Sequence, residues 1–166
     1  SDACERCPDG STTRRTADNK LDGSECSPCA AGTASTSGAP CKACAEGRFA
    51  SVPGADACKR CPDFMTSRSE NATGCIAAAG FVLGGDWSNP LRRTVHACPA
   101  EGAACVDVPG ARVATLVLEP GFWRPAYTSL EVVACRDDTS CVGGVSHGAE
   151  GEGVCSNATT GPYCAV

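Results

Sequence analysis

Four Cys-x-x-Cys pairs recur in the first 61 residues, Cys4/Cys7, Cys26/Cys29, Cys41/Cys44 and Cys58/Cys61, and each opens a short unit of nearly the same grammar. After the pair come two residues, a glycine, a stretch rich in Ser, Thr and Ala, and a second glycine shortly before the next cysteine. Gly10, Gly32 and Gly47 hold the first glycine position, and Phe64 takes it in the fourth unit. Gly23, Gly38, Gly54 and Gly74 hold the second, where a turn of positive φ would strain any other residue. Self-similarity at a period of about 15 to 22 residues is the signature of stacked modules. The chain therefore reads as an array of small cross-linked units.

Composition explains why cross-links are needed. Residues 1–75 hold only four Leu, Ile, Val or Phe (Leu21, Phe49, Val52 and Phe64) beside nine cysteines, too few to pack a core. Fixing the backbone costs roughly 1–2 kcal/mol per residue, and a disulfide closing a loop of this size contributes on the order of 3 kcal/mol. Disulfides thus replace the core. The remaining 91 residues carry twenty residues of those four types and six cysteines, enough for a small apolar centre. The expected organisation has three parts: cysteine-rich repeats over residues 1–75, a bridging segment over 76–97 that folds onto the C-terminal unit, and a compact β unit over 98–166.

The fold class expected is small, disulfide-rich, mostly β and irregular, an elongated array of modules that each touch mainly their neighbours. No 3.6-residue periodicity survives in residues 1–75, so helix should be scarce. Phe81-Val82-Leu83 and Thr94-Val95, on either side of Gly84 to Pro90, read as strand, turn, strand. Arg112 to Glu119 is rich in β-formers, Pro120-Gly121 reads as a turn, and Leu130 to Val133 is a second apolar run. An antiparallel pair with a small apolar face is the expectation there.

Fifteen cysteines in 166 residues, with Asn-x-Thr sequons at Asn71 and Asn157, point to an oxidising secretory route and a cell-surface or extracellular location. Both asparagines are expected to carry N-linked glycan. Nothing reads as a signal peptide, and the longest apolar run, Ile76 to Gly85, is too short and too rich in glycine to span a bilayer, so no direct membrane insertion is expected. The odd cysteine count and a start three residues before a Cys-x-x-Cys pair read as a segment of a longer chain. Cys75 or Cys164 is the expected cysteine without an internal partner. The net charge of −5 is spread over mixed signs, Arg14-Arg15 and Arg92-Arg93 against Asp137-Asp138, Glu150 and Glu152. No basic stripe offers a nucleic-acid surface.

Several chemical readings fail on context. Cys4-x-x-Cys7 and Cys26-x-x-Cys29, eighteen residues apart, have the spacing of a four-cysteine zinc site, but the next gaps are eleven and thirteen, and His96 and His147 lie far from any pair. A redox Cys-x-x-Cys needs a strand-to-helix context that no unit offers. Gly144-Val145-Ser146-His147-Gly148 matches the nucleophile elbow of hydrolases formally, yet it sits in a thirteen-residue gap between Cys141 and Cys155 with no room for the required sheet and helix. Asp137-Asp138 and Glu150-x-Glu152 offer carboxylates without a calcium-loop pattern and read as solvated loop charge, a weak calcium site being the other reading. Phe122 and Trp123 are expected to pack beneath the strand pair, Trp87 and Tyr163 to be the partner-contacting aromatics, and Arg124 to stack on an aromatic face. No catalytic residue, metal or cofactor is called for.

Cys58-Lys59-Arg60-Cys61-Pro62, and Gly47-Arg48-Phe49-Ala50-Ser51 followed by Gly54-Ala55-Asp56-Ala57-Cys58, resemble the cysteine-rich repeats of ephrin-receptor-like extracellular domains. The segment from Cys155 to Cys164 is similar to the last loop of an EGF-like domain, with Gly161 in register but Ala158 and Thr159 where Gly and Tyr usually stand. Pro120-Gly121-Phe122-Trp123-Arg124, followed by Cys135 and Cys141-Val142-Gly143-Gly144, resembles a block found after such repeats in large surface proteins of algae and other protists. The first resemblance implies that like cysteines of successive pairs bond, giving Cys4–Cys26, Cys7–Cys29, Cys41–Cys58 and Cys44–Cys61. The second implies Cys155–Cys164. Together they imply a non-catalytic structural or adhesive segment of a large secreted or cell-surface glycoprotein, a spacer and assembly surface, as in an extracellular filament such as a flagellar hair (mastigoneme). The implied partners are other segments of the same chain and other extracellular proteins. The alternative is a ligand-binding ectodomain segment of a membrane receptor or channel-like protein.

Overall fold

The computed structural model describes residues 7–15, 21–85, 92–147, 153–156 and 159–165. Two compact units make up the chain, Ser1–Cys75 and Ile76–Val166. The segment 76–97 therefore belongs to the second unit. Among the described residues the regular structure is short antiparallel strand, with single turns of 3-10 helix at Val113–Thr115 and Pro162–Cys164. The protein is a small, disulfide-rich, mostly β and irregular fold.

One hairpin design builds the first unit. Strands β1 (Ser11–Arg15) and β2 (Leu21–Pro28) pair antiparallel, as do β3 (Thr33–Ala34) with β4 (Lys42–Ala43) and β5 (Arg48–Phe49) with β6 (Lys59–Arg60). Before each first strand stands a four-residue turn whose third residue is at positive φ: Gly10 at 78°, Gly32 at 85° and Gly47 at 77°. The residue after that glycine donates its amide back across the turn, Ser11 to Pro8 at 3.1 Å, Thr33 to Ala30 at 3.0 Å and Arg48 to Ala45 at 3.0 Å. This is the geometry in which glycine is favoured at the third position of a type II turn. The hairpin is then closed from its far end, where Cys29, Cys44 and Cys61 donate their amides to Gly10, Gly32 and Gly47 at 2.8 to 2.9 Å.

Each hairpin is also tied to the next two. Gly10 and Gly32 donate to the carbonyls of Ser35 and Ala50, one repeat on, at 2.7 and 2.8 Å. Gly54 and Asn71 donate back to Cys29 and Cys44 at 2.8 and 3.2 Å. A methyl group added at Gly10 would fall 2.0 Å from the Gly54 carbonyl oxygen, and one at Gly32 would fall 2.1 Å from that of Asn71. These glycines thus serve two purposes, a left-handed backbone and the close approach of the repeat two places along.

The disulfides follow this design and correct the pairing that the resemblance implied. Cys7 bonds Cys26, Cys29 bonds Cys41, Cys44 bonds Cys58, and Cys61 bonds Cys75. The second cysteine of each pair thus bonds the next cysteine along the chain, in place of Cys4–Cys26, Cys7–Cys29, Cys41–Cys58 and Cys44–Cys61. The reason is strand geometry. The two residues inside Cys41-x-x-Cys44 and Cys58-x-x-Cys61 form β4 and β6, and in an extended strand residues three apart point to opposite faces. One cysteine can reach back into its own hairpin and the other only forward. Cys4 lies outside the described residues.

The second glycine position is also corrected in two units. Gly38 and Gly54 have φ of 72° and 77°, but in the fourth unit Asn71, at 62°, takes the place expected of Gly74. Gly23 lies within β2. Asn is among the few residues that tolerate this region, because its short side chain bonds locally. Phe64 occupies the turn position of Gly10, Gly32 and Gly47 at φ 62°, just before β7 (Met65–Thr66), with 59% of its surface exposed. A left-handed residue with a Cβ carries roughly 1–2 kcal/mol of strain. Replacing Phe64 with Gly is expected to raise the stability of the first unit by about 1 kcal/mol, read as an increase in denaturation midpoint.

The second unit opens with β8 (Ile76–Ala77) and continues the same turn device without the cysteine pairs. Gly80, at φ 81°, precedes β9 (Phe81–Gly85), which pairs with β10 (Arg93–Ala97), and Cys98 donates to the Gly80 carbonyl at 2.9 Å. The two strands expected on either side of Gly84 to Pro90 are present, and residues 86–91 of the turn between them lie outside the described residues. Gly121, at φ 87°, precedes β12 (Phe122–Trp123), which pairs with β13 (Val133–Ala134), and Cys135 donates to the Gly121 carbonyl at 2.8 Å. Between them β11 (Val117–Leu118) pairs with β14 (Gly144–Val145). The expected pairing of 112–119 with 130–133 is therefore replaced by two nested pairs. Residues Val113–Thr115 turn as 3-10 helix because the Val113 carbonyl, which a strand would present to a ladder, accepts from the Arg124 side chain at 2.7 Å.

Three further disulfides, Cys98–Cys105, Cys135–Cys141 and Cys155–Cys164, close short loops around an apolar centre. Val82, Val113, Leu116, Leu118, Trp123 and Val154 form that centre. Cys75 and Cys164, one of which is expected to lack an internal partner, are both bonded.

Candidate functional site

Arg124 is the largest fully buried side chain among the described residues, with 0% of its surface exposed. It follows Trp123, the last residue of β12; Trp123 joins the apolar centre while the guanidinium enters a polar seam. There Nε donates to Ser146 Oγ at 2.5 Å and Nη1 to the carbonyls of Val113 at 2.7 Å and Ser129 at 3.3 Å. Nη2 has no partner among the described residues. One side chain thus ties together three loops, correcting the expected aromatic stacking. Desolvation lowers the pKa of Arg124 from its ordinary value, but a guanidinium stays charged in proteins. Arg124→Met would leave carbonyl oxygens without donors at roughly 1–3 kcal/mol apiece. The variant is expected to lose about 2–4 kcal/mol, measurable by urea unfolding followed through tryptophan fluorescence.

Over this seam lies a groove of 360 Å³. Leu83 and Gly84 of β9, Thr94 and His96 of β10, and Val113 and Leu130 form most of its walls. Strand pairing places Thr94 opposite Gly84, and His96 Nε2 lies 2.8 Å from Thr94 Oγ1. The groove is mainly apolar with a few hydroxyls, one imidazole and the guanidinium-bearing Arg112 at its wall, the composition of a small-molecule site. Sequence reading missed it because its walls come from four separated segments. The one legible signal was Gly84 inside an otherwise apolar strand, a mark of close approach by a ligand or another backbone.

The other residues singled out in the sequence are dispersed. Ser146 of the formal elbow motif is buried, with 1% exposed, and accepts the Arg124 bond, while His147 is exposed. Asp137 accepts from the side chain and backbone amide of Thr139 at 2.7 and 3.0 Å and from Ser140 Oγ at 3.3 Å. Those bonds, the Thr139 side chain first, hold its carboxyl below the ordinary range. A folded-state value lower than the unfolded one means that the contribution is present at neutral pH and is lost as pH falls through the depressed value. Asp137 is thus a loop clasp between Cys135 and Cys141. Phe122 packs over Gly102, where an added methyl would meet its ring at 2.3 Å. Tyr163 is 46% exposed and leans on Trp123 with ring centroids 5.0 Å apart. Trp87, Glu150, Glu152 and Asn157 lie outside the described residues. Among the described residues no group of three or more His, Cys, Asp or Glu is placed to hold a metal ion, and no helix is long and apolar enough to cross a membrane.

Asn71 is exposed at its left-handed turn. Backbone demand alone would account for an asparagine there, so Thr73 is the position that isolates the sequon. In a eukaryotic secretory host the chain is expected to carry glycan at Asn71 and to lose it in Thr73→Ala with the fold unchanged. An unmodified Asn71 peptide from that host would contradict this.

These features define a disulfide-rich β protein of extracellular type with a cross-linked repeat unit and a small cored unit. No protein-family model matches the chain, and no curated protein matches its sequence.

Proposed function

We propose that this chain is a non-catalytic structural and adhesive segment of a large secreted or cell-surface glycoprotein, where it acts as a spacer and assembly surface. The observation that carries this reading is the covalent path through the first unit. From Cys7 to Cys75 the chain can be traced across four disulfides and three Cys-x-x-Cys links without entering any loop. At Cα separations of 5.5 to 5.8 Å per bridge, that path is about 50 Å long, against about 230 Å for the same segment fully extended. Tension along the chain is therefore carried by covalent bonds and cannot draw the repeats out. The like-to-like pairing would have left the loops from Cys29 to Cys41 and from Cys61 to Cys75 extensible.

In this reading the repeats are ephrin-receptor-like in their sequence grammar though not in that pairing, the C-terminal loop is EGF-like, and the partners are other segments of the parent chain and other extracellular proteins. A filament such as a flagellar hair is the setting that suits a tension-resistant spacer. Single-molecule pulling across residues 7–75 tests it. The oxidised chain should gain almost no contour length, and the reduced chain on the order of 180 Å. A large extension without reductant would defeat the spacer role. A second reading, the ligand-binding ectodomain of a receptor or channel-like protein, is favoured by the groove of the second unit.

A further inference from the structure

We infer that the groove of the second unit binds a small organic anion, one carboxylate or sulfonate on an aliphatic or aromatic body. The inference stands whether the parent chain is a filament or a receptor, because it rests only on the walls of the groove and on the guanidinium behind them.

The volume of 360 Å³ lies within the range of sites that enclose small ligands. Leu83, Val113, Ala114 and Leu130 supply apolar surface for the body of the ligand, and Thr94 and Thr115 supply hydroxyls. Gly84 keeps the floor open. Its backbone is not left-handed, so a side chain is compatible with its φ, yet an added methyl would come within 3.0 Å of Thr94 Oγ1, 3.3 Å of Val113 Cγ2 and 3.4 Å of His96 Cδ2. All three neighbours line the groove. The glycine is thus explained by the space it leaves.

The sign of the ligand follows from charge. Acidic residues outnumber basic ones in the chain, 19 to 14, yet none of the described residues lining the groove is acidic and one of them, Arg112, is basic. Directly behind the wall stands Arg124. Its Nη1 holds the carbonyl of Val113, a wall residue, and that of Ser129, which lies between the wall residues Thr128 and Leu130. All three of its hydrogen bonds go to neutral acceptors, and Nη2 makes none with the described residues. A charge buried without a counter-charge is costly. Low-dielectric walls focus such a field into the adjoining cavity, where a bound anion supplies a countercharge that none of the described residues provides.

The test uses the oxidised full chain and two probes that share one body, 8-anilinonaphthalene-1-sulfonate and its neutral counterpart N-phenyl-1-naphthylamine. Binding is followed by fluorescence and located by backbone amide shifts. The sulfonate should bind at one site, perturb Gly84, Gly85, Thr94, His96 and Thr115, and bind at least about tenfold more tightly than the neutral probe. Gly84→Val should abolish that binding with circular dichroism unchanged. Arg124→Met should bring the two affinities together. Where Arg124→Met fails to fold, salt replaces it: preference set by a buried charge should persist in about 0.5 M sodium chloride, whereas preference set by exposed lysines or arginines should vanish. Equal affinities in the parent chain, shifts scattered over the surface, undiminished binding in Gly84→Val, or preference lost in salt would each overturn the inference.

Discussion

In excess dithiothreitol the first unit should lose its fold before the second, and trypsin should then cut within residues 7–75 while a fragment beginning near Ile76 persists. The buried hydrophobic residues described in the first unit, apart from cysteines, are only Ala34 and Ala50. Their burial contributes little at about 25 cal/mol per Å². Four disulfides with sequence separations of 19, 12, 14 and 14 contribute on the order of 3 kcal/mol each, a total comparable with the whole net stability of an ordinary domain, about 5–15 kcal/mol. The second unit has Val82, Leu116, Leu118, Trp123 and Val154 in contact, and its three bridges close shorter loops, with separations of 7, 6 and 9. It depends less on them. Limited proteolysis against reductant concentration, read by mass, separates the two units, and earlier loss of residues 76–166 would contradict the division of labour.

Gly32→Ala should be among the most damaging single substitutions outside the cysteines, and Gly47→Ala at the equivalent turn should be mild. Both glycines have positive φ, so both variants carry the roughly 1–2 kcal/mol of a left-handed residue with a Cβ. Only at Gly32 does the new methyl strike backbone, 2.1 Å from the Asn71 carbonyl oxygen, whereas at Gly47 nothing lies within 4 Å. Backbone on both sides of a contact cannot yield as a side-chain tip can. Gly32→Ala must therefore push apart repeats two places along the array, and a loss above about 4 kcal/mol is expected. Denaturation midpoints of the two variants under oxidising conditions check this. Equal losses would show that the close approach of alternate repeats is not made in solution.

The same contrast explains Phe64. Glycine is demanded twice at Gly10 and Gly32, by φ and by the neighbouring carbonyl. At Phe64 the residue is largely exposed, and the demand for glycine comes from φ. A terminal repeat that departs from its siblings is usual in stacked arrays.

Much of this fold was legible in the sequence, for identifiable reasons. Cysteine spacing and the shortage of large apolar residues before Ile76 define a cross-linked unit without a core, and the alternation around Gly84 marks β9 and β10. Pairing was not legible, because spacing alone does not say which face of a strand a cysteine occupies. The continuation of the turn device into the second unit was masked by the end of the Cys-x-x-Cys pairs, although Gly80-Phe81 and Gly121-Phe122 repeat the glycine-then-strand step of Gly32-Thr33 and Gly47-Arg48. Arg124 was misread because an arginine beside aromatics is normally a surface residue. Its role depends on carbonyls at Val113 and Ser129 that no local pattern reveals. The groove was hidden for the same reason.

Disulfide mapping tests the central claim most directly, that each repeat is closed by the second cysteine of one pair and the first of the next. Trypsin is suited to it, since Lys42 divides Cys41 from Cys44, and Lys59 and Arg60 divide Cys58 from Cys61. Non-reduced peptides should link Cys44 to Cys58 and Cys61 to Cys75, while Cys41 stays bonded within the peptide 21–42 that also carries Cys26 and Cys29. Peptides linking Cys41 to Cys58 and Cys44 to Cys61 would contradict the hairpin design, the covalent path through the first unit and the spacer role built on it.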